Sequence, residues 1–463
     1  MKQNLDPAVK SQPQIAPPGA ERATVKINVD LLVIHAAELL TARTPDSLPA
    51  RATQLDTLEL IPDGALAVVD GRIVAVGTTA ELSATYTTSR VEDASGRLVS
   101  PGFVDPHTHL LHGGTRHEDW EGKVLEAPSL GIGGGILSTI TGTREASDGA
   151  LLAGGRAVLD DLLVNGTTTV EVKSGYGLAR AEEVRLVRLA SELGHPVRIV
   201  SSYLGAHMVP DEFRTDRAGY VDEVIATLPE IAADVDSIDI ACDPISFTAS
   251  ESRRIAEAAR ALGLALRFHA DQTGDAGGTA LAVEFGALSV DHLDEVSDAG
   301  LSALAASGSV GVVFPTANAH LLDMTSSLQP GGRPAKDLAA WAQRVRDSGA
   351  ALALSTDYNP GTSPCSSMQI VLQLAARLYR WSYAQVWQMA TINAAAALGL
   401  AAEIGSLGVG KRADFVLWDV PSHGAVVHRI GSNLVHQVYR DGELVAERGR
   451  VRTRVAAEVG AVS

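Results

Sequence analysis

The sequence predicts an α/β protein, a closed parallel (β/α)8 barrel of the TIM type, with a small β-sandwich domain built from both chain ends. Three observations predict it. Short β-branched runs alternate with Ala/Leu/Arg/Glu-rich stretches through the middle of the chain, as strands joined by helical crossovers do. Two Asp-Gly pairs, Asp70-Gly71 and Asp441-Gly442, sit between apolar runs, one toward each end, and read as two-residue hairpin turns. Polar and ionisable residues collect at the ends of the predicted strands, where such barrels keep their chemistry.

Residues 1–25 are polar and Pro-rich, with no apolar core segment, and read as a disordered arm rather than a signal peptide. The runs at 30–34 and 65–76 have strand texture, and the same texture returns at 413–418 and 437–445. Segments 26–98 and 404–463 are therefore expected to form one composite β domain, interrupted by a barrel over 99–403. Barrel strands are expected at 102–107, 167–173, 198–204, 237–241, 265–269, 287–291, 309–314 and 351–355. Helical patterns separate most of them, including 252–262 and 301–306.

Composition narrows the partners. With 46% hydrophobic and 20% charged residues in 463, the chain is an ordinary globular protein. A net charge of −17 argues against nucleic acid and acidic membrane surfaces. No apolar run approaches the ~20 residues that span a bilayer. Cys242 and Cys365 are too few and too far apart for a disulfide framework, which fits a reducing, cytoplasmic compartment.

The strand ends carry the chemistry. The first delivers His107 and His109, which at i and i+2 share one face of a strand. A lone H-x-H pair is more often a His-rich loop. Later ends supply more: Lys173-Ser174-Gly175-Tyr176, His207, Cys242-Asp243, His269-Ala270-Asp271-Gln272, Asp291-His292 and Asp357-Tyr358-Asn359. Capping and loop solvation explain each singly, but not readily all together.

The pattern of H-x-H on the first strand, His on the fifth, His on the sixth and Asp on the eighth resembles the amidohydrolase superfamily. More narrowly, several pieces resemble the imidazolonepropionase family: Pro101–His109, Gly133-Gly134-Gly135-Ile136, Thr169–Gly177, Leu204–His207, His269–Gln272 and Ser355–Pro364. The resemblance implies hydrolysis of 4-imidazolone-5-propionate to N-formimino-L-glutamate. It implies one divalent metal on His107, His109, His269 and Asp357, zinc first, with iron or manganese as alternatives. Asp357 would move the proton, His292 would bond the water or the carbonyl, and Gln272 would orient ring or water. Arg116 would hold the propionate, with Tyr176, His207, Asn359, Gly361 and Thr362 around the ring and tail. A homodimer is also implied. Asp243 leaves a second metal open. Cys365 has no base partner in sequence and reads as a packed thiol, while Lys173 reads as a supporting residue rather than a Schiff-base lysine.

Three departures bear on substrate. His112 stands where the family has an aromatic, His117-Glu118-Asp119-Trp120 replaces its usual segment after Arg116, and Asn318 and His320 replace aromatics after the seventh strand. His112 and His320 are accordingly expected to touch the substrate. The departures keep a desulfhydrase alive, acting on 3-(5-oxo-2-thioxoimidazolidin-4-yl)propionate and releasing sulfide. A superfamily deaminase is a further alternative, although it would want glutamate at Gln272. A non-catalytic scaffold is the last alternative, and it conflicts with the intact ligand set.

Overall fold

The computed structural model describes residues 26–124, 135–321 and 337–452. The expected arm at 1–25, residues 453–463 of the composite domain, and Gly133 and Gly134 of the glycine motif lie outside them.

Eight parallel strands stand side by side in chain order: β1 (Phe103–Asp105), β2 (Thr167–Lys173), β3 (Arg198–Ala206), β4 (Ser237–Cys242), β5 (Ala265–Ala270), β6 (Ser289–His292), β7 (Val310–Val313) and β8 (Ala351–Leu354). The ring closes where Thr108 bridges Tyr358 and the His109 amide donates to the Tyr358 carbonyl at 2.8 Å. The barrel expected from sequence is therefore present, and β2 is buried along its whole length, as a parallel strand covered on both faces must be. The helices begin earlier than their apolar pattern. The one expected from 252 runs Ala249–Ala261, because Thr248 and Glu251 form a reciprocal capping box at its start. Likewise Ser297 caps Asp298–Ala305.

Both chain ends build a nine-stranded sheet, Leu31–Leu40, Leu60–Val69, Arg72–Thr78, Val91–Asp93 and Leu98–Pro101 from one side of the barrel sequence, Phe415–Trp418, Val435–Arg440, Glu443–Glu447 and Arg450–Val451 from the other. The halves join where Leu98–Pro101 pairs antiparallel with Phe415–Trp418. Alternate side chains fill two cores, one around Leu39, Val99, Phe415 and Tyr439, the other around Leu32, Ala67 and Leu82. Both Asp-Gly turns are hairpins with two positive φ angles, 49° and 71° at Asp70-Gly71 and 50° and 73° at Asp441-Gly442. That is the geometry whose twist matches paired strands.

Leu98–Pro101 runs into β1 across Gly102. A Cβ there would fall 2.3 Å from the Thr168 side chain, so glycine lets the first barrel strand lie against the second. Around this junction Phe103, Trp387 and Trp418 pack with ring centroids 5.2–5.8 Å apart, all wholly buried, and Trp418 Nε1 donates to Ser100 Oγ at 2.9 Å. Sheet and barrel share one aromatic seam there. Lys411 marks the opposite kind of contact. Its buried amine donates to the Ala401 carbonyl and Ser406 Oγ, has no carboxylate partner among the described residues, and is lowered to about 8 by burial. Among the described residues no helix is long and apolar enough to cross a membrane.

Two outcomes follow from this packing. Trp418→Ala should destabilise the protein by about 3–5 kcal/mol, read as a lowered midpoint in urea unfolding. For Lys411 the unfolded amine binds its proton near 10.5 and the folded one only near 8. Between those values only the unfolded chain holds the proton, so stability rises with pH through the window. Unfolding measured at pH 7.5 and pH 10 should show wild type gaining on Lys411→Met at the higher pH, and parallel changes would contradict the assignment.

Candidate active site

Alternate residues of each strand face the barrel lumen. This pleat stacks polar side chains in tiers. Deepest lies Arg267, wholly buried, donating from Nε to Ser237 Oγ and from Nη1 to the Ala397 carbonyl, both at 2.8 Å. Two residues past Ser237 on β4 and Ser289 on β6 stand Asp239 and Asp291, which belong to a charged tier. Lys173 Nζ lies 2.7 Å from Glu171 Oε1, 2.6 Å from Asp239 Oδ2 and 4.0 Å from Asp291 Oδ2. Burial alone would neutralise this lysine, but Asp239 and Glu171 outweigh it and raise its pKa.

The imidazole tier rests on those carboxylates. Asp291 Oδ2 accepts from His107 Nδ1 at 2.7 Å, and Asp239 Oδ2 lies 3.0 Å from His269 Nδ1. The first is a hydrogen bond that fixes the His107 ring so that its Nε2 keeps a lone pair for the lumen, and the second is a close ion-pair contact beside His269. His107 and His109 Nε2 lie 3.3 Å apart, with Asp357 Oδ1 at 3.6 and 3.7 Å from them. Ligand atoms of His107, His109 and His269 all fall within 4.8 Å of one another. His269 Nε2 is buried without a hydrogen-bond partner among the described residues.

Charge chemistry also fits a cation. Burial first, and then neighbouring cationic groups, hold His107 and His109 well below the usual histidine range, in the neutral form that binds metal. Burial pushes the Asp357 carboxyl up to about 8, so keeping it ionised there calls for an adjacent positive charge. Three imidazoles and a carboxylate are the donor set of a catalytic divalent ion. The residues fit the group.

A cavity of about 220 Å³ opens over this cluster, lined among others by Arg116, Tyr176, His207, Gln272, His292 and Thr362. His207 Nδ1 donates to the Gly175 carbonyl at 2.9 Å and its ring stacks on His109, leaving Nε2 as an acceptor. Burial lowers it to about 4, so it is neutral. His292 Nε2 is buried with no hydrogen-bond partner among the described residues. His109, His269, Asp357, His292, Gln272, Tyr176, His207 and Arg116 therefore line one cavity, with His107 packed beneath it against His109 and His269.

Other candidates stand elsewhere. His112 packs against Tyr176 and Tyr358, at ring distances of 6.4 and 6.1 Å, and is not part of the cavity wall. His320 stacks face to face on Trp120 instead. Asn359 lines the cavity, but its amide closes its own loop, accepting from the Gly361 and Thr362 amides at 2.9 and 2.7 Å. Asp243, left open as a second-metal ligand, accepts from the amides of Ile245, Gln272 and Thr273 and from the Thr273 hydroxyl, so it staples the loop after β5. Burial pushes the Cys365 thiol up to about 11, as suits a packed thiol. Sequence reasoning assigned no role to Glu171, Asp239 or Asp291. The signal was available for Asp239, a lone carboxylate at the inward position of an apolar strand.

Asp239→Asn should weaken zinc binding about 10–100-fold, measured by competition with a chelator, while His269→Ala should leave well under one zinc per chain.

The family model described as amidohydrolase family matches residues 98–445, and an imidazolonepropionase-like composite domain of bacteria matches 64–87. The imidazolonepropionase of Symbiobacterium thermophilum is 42% identical over 92% of this chain and 99% of its own length. That of Sphingopyxis alaskensis is 40% identical over 84% and 94%. Among solved structures, E. coli guanine deaminase superposes with a TM-score of 0.65 at 19% identity, covering 90% of this chain and 99% of that one, a likeness of fold alone. An adenosine deaminase from Xanthomonas campestris with bound zinc gives 0.64 at 18%, covering 92% and 95%. The chain belongs to the amidohydrolase family, as an imidazolonepropionase-like member.

Proposed function

We propose that the chain is a metal-dependent hydrolase that opens the five-membered cyclic amide of 4-imidazolone-5-propionate to N-formimino-L-glutamate. The observation that carries this is one cavity holding three imidazoles and a carboxylate together with an arginine. The relatives at 42% and 40% identity, both imidazolonepropionases, support it.

His107, His109, His269 and Asp357 would hold one divalent ion, zinc first. When bound, it supplies the Lewis acidity that polarises a ring carbonyl and makes water a nucleophile at neutral pH. The rest is done by the chain's own groups. Arg116 binds the propionate, since a guanidinium matches a carboxylate in pairs of hydrogen bonds. Tyr176 and His207 flank the ring, His207 as an acceptor. His292 offers its free Nε2 to the carbonyl or the attacking water. Asp357 takes a proton from that water and returns it to the departing ring nitrogen. Water thus adds across the C–N bond, its oxygen ending in the new carboxylate. Gln272, a neutral amide, orients the ring and carries no proton. A single metal suits the site because Asp243 is engaged by the loop after β5 and the Lys173 ammonium already lies among Glu171 and Asp239.

The enzyme is read as a cytoplasmic homodimer: the free thiols of Cys242 and Cys365 support a reducing compartment, and the resemblance supports the dimer. Neither imidazolonepropionase relative supports the desulfhydrase or the deaminase, and the solved deaminases share only the fold.

Zinc-loaded protein given 4-imidazolone-5-propionate should consume the ring absorbance and form N-formiminoglutamate. Sulfide from the thioxo acid alone, or ammonia from guanine alone, would replace the reading.

A further inference from the structure

Two of the three departures from the family pattern meet in space around Arg116. Asp119 Oδ2 accepts from Arg116 Nε at 2.8 Å, with both side chains largely buried. Trp120 Nε1 donates to the Gly361 carbonyl at 2.6 Å, and its indole stacks on His320 with ring centroids 3.8 Å apart and planes 18° from parallel. Gly361 in turn lies against the guanidinium: a Cβ there would fall 2.1 Å from Arg116 Nη1. The Trp120 amide donates to the Arg116 carbonyl at 3.1 Å, opening the helix His117–Val124. Arg116, Asp119, Trp120 and Gly361 thus close a ring of contacts, and His320 backs it.

The ring constrains how the arginine can bind. Its Nε is occupied, while Nη1 and Nη2 make no hydrogen bond among the described residues and Arg116 lines the cavity. A carboxylate can then be gripped on the Nη1/Nη2 edge only, in one orientation. The opposite side of the same cavity is fixed by the imidazole tier. With both ends of the substrate fixed, the distance from carboxylate to ring becomes a selected quantity.

We propose that Asp119 and Trp120 are positioning residues that lock Arg116 into a tail-length gauge, selecting ring acids by the spacing between ring and carboxylate. This rests on the hydrolase reading above and goes beyond it, because it assigns the altered segment after Arg116 a role in specificity. Asp119→Ala frees Nε and lets the guanidinium rotate. Trp120→Phe keeps an aromatic face for His320 and removes only the donor to Gly361. His320 acts from behind the gauge, through the stack.

The test compares zinc-loaded wild type, Asp119→Ala and Trp120→Phe on 4-imidazolone-5-propionate and its acetate homologue, one methylene shorter. Calorimetric binding of imidazole-4-propionate and of imidazole alone is measured beside it. In each variant the kcat/KM preference for the longer acid should fall about tenfold or more, the loss falling on KM. Affinity for imidazole-4-propionate should fall by a similar factor while that for imidazole stays within twofold. A preference and an imidazole-4-propionate affinity both within twofold of wild type, in both variants, would overturn the gauge. Wild type inert on both imidazolones, with the variants still weakened toward imidazole-4-propionate, would sink the proposed reaction and leave the gauge standing.

Discussion

The buried ammonium of Lys173 is the constraint on which the rest of the site depends. Glu171, Asp239 and Asp291 are all wholly buried in the barrel, and so many carboxylates cannot share a low-dielectric lumen without a cation among them. Lys173 supplies that charge from the side away from the cavity. Asp239 is held ionised against its own burial by His269 and Lys173 together. An ionised Asp239 can accept from His269, and an oriented His269 can offer a lone pair upward. The imidazoles thus depend on the carboxylates beneath them, and those carboxylates on Lys173.

The outer sheet does its part at one point. Strand Leu98–Pro101 belongs to the sheet, and one glycine later the chain is β1, whose extension carries His107 and His109. Two of the candidate metal-site histidines therefore hang from a strand held in the sheet by Phe415–Trp418 and packed against Trp387 and Trp418. Asp105, two residues before His107, accepts from the Thr356 amide and hydroxyl at 3.0 and 2.6 Å. That contact ties β1 to the segment bearing Asp357. A ligand from the first strand and one from the last are thus joined directly.

Much of this was legible in the sequence. The barrel followed from alternating runs, the hairpins from two Asp-Gly pairs, and the clustering of His107, His109, His269 and Asp357 from period-two spacing read beside a family resemblance. What was not legible is instructive. Helix starts were read late, at 252 and 301, because apolar periodicity begins after the cap, whereas Thr248 and Ser297 act through hydrogen bonds. His112 and His320 were expected to touch substrate because they replace aromatics. In the fold they still behave as aromatics, His112 packed against two tyrosines and His320 stacked on an indole. Asn318, which also stands where the family has an aromatic, donates to Asp294 at 2.7 Å and accepts from the Tyr379 hydroxyl, in a buried network. Substitutions scattered in sequence can be partners in space, and only coordinates reveal the pairing.

The end of β6 shows where strand logic must be broken for the site to exist. Consecutive strand residues point to opposite faces, so Asp291 and His292 should not both serve the lumen. Yet Asp291 supports His107 while the His292 ring lies 5.2 Å from that of His269. The break is visible in the backbone: His292 has φ 82° and Leu293 φ 62°, left-handed values for residues that are not glycine. Such angles cost on the order of 1–3 kcal/mol each and persist only where the surroundings impose them. Here the Leu293 amide is held by the Ala270 carbonyl at 3.2 Å and the Glu295 amide by the Asp271 carbonyl at 2.7 Å. Asp271, itself at φ 54°, is anchored by the amides of Ala276, Gly278 and Thr279. Asp357 repeats the device on β8 at φ 50°, with its carbonyl gripped by Asn359 Nδ2 at 2.7 Å. The loops after β5, β6 and β8 are therefore bracing as well as lining. Their hydrogen bonds hold the turned backbone that brings His292 and Asp357 over the imidazoles, which is why Asp271 and Asn359 are engaged with their own loops and Asp243 with the loop after β5.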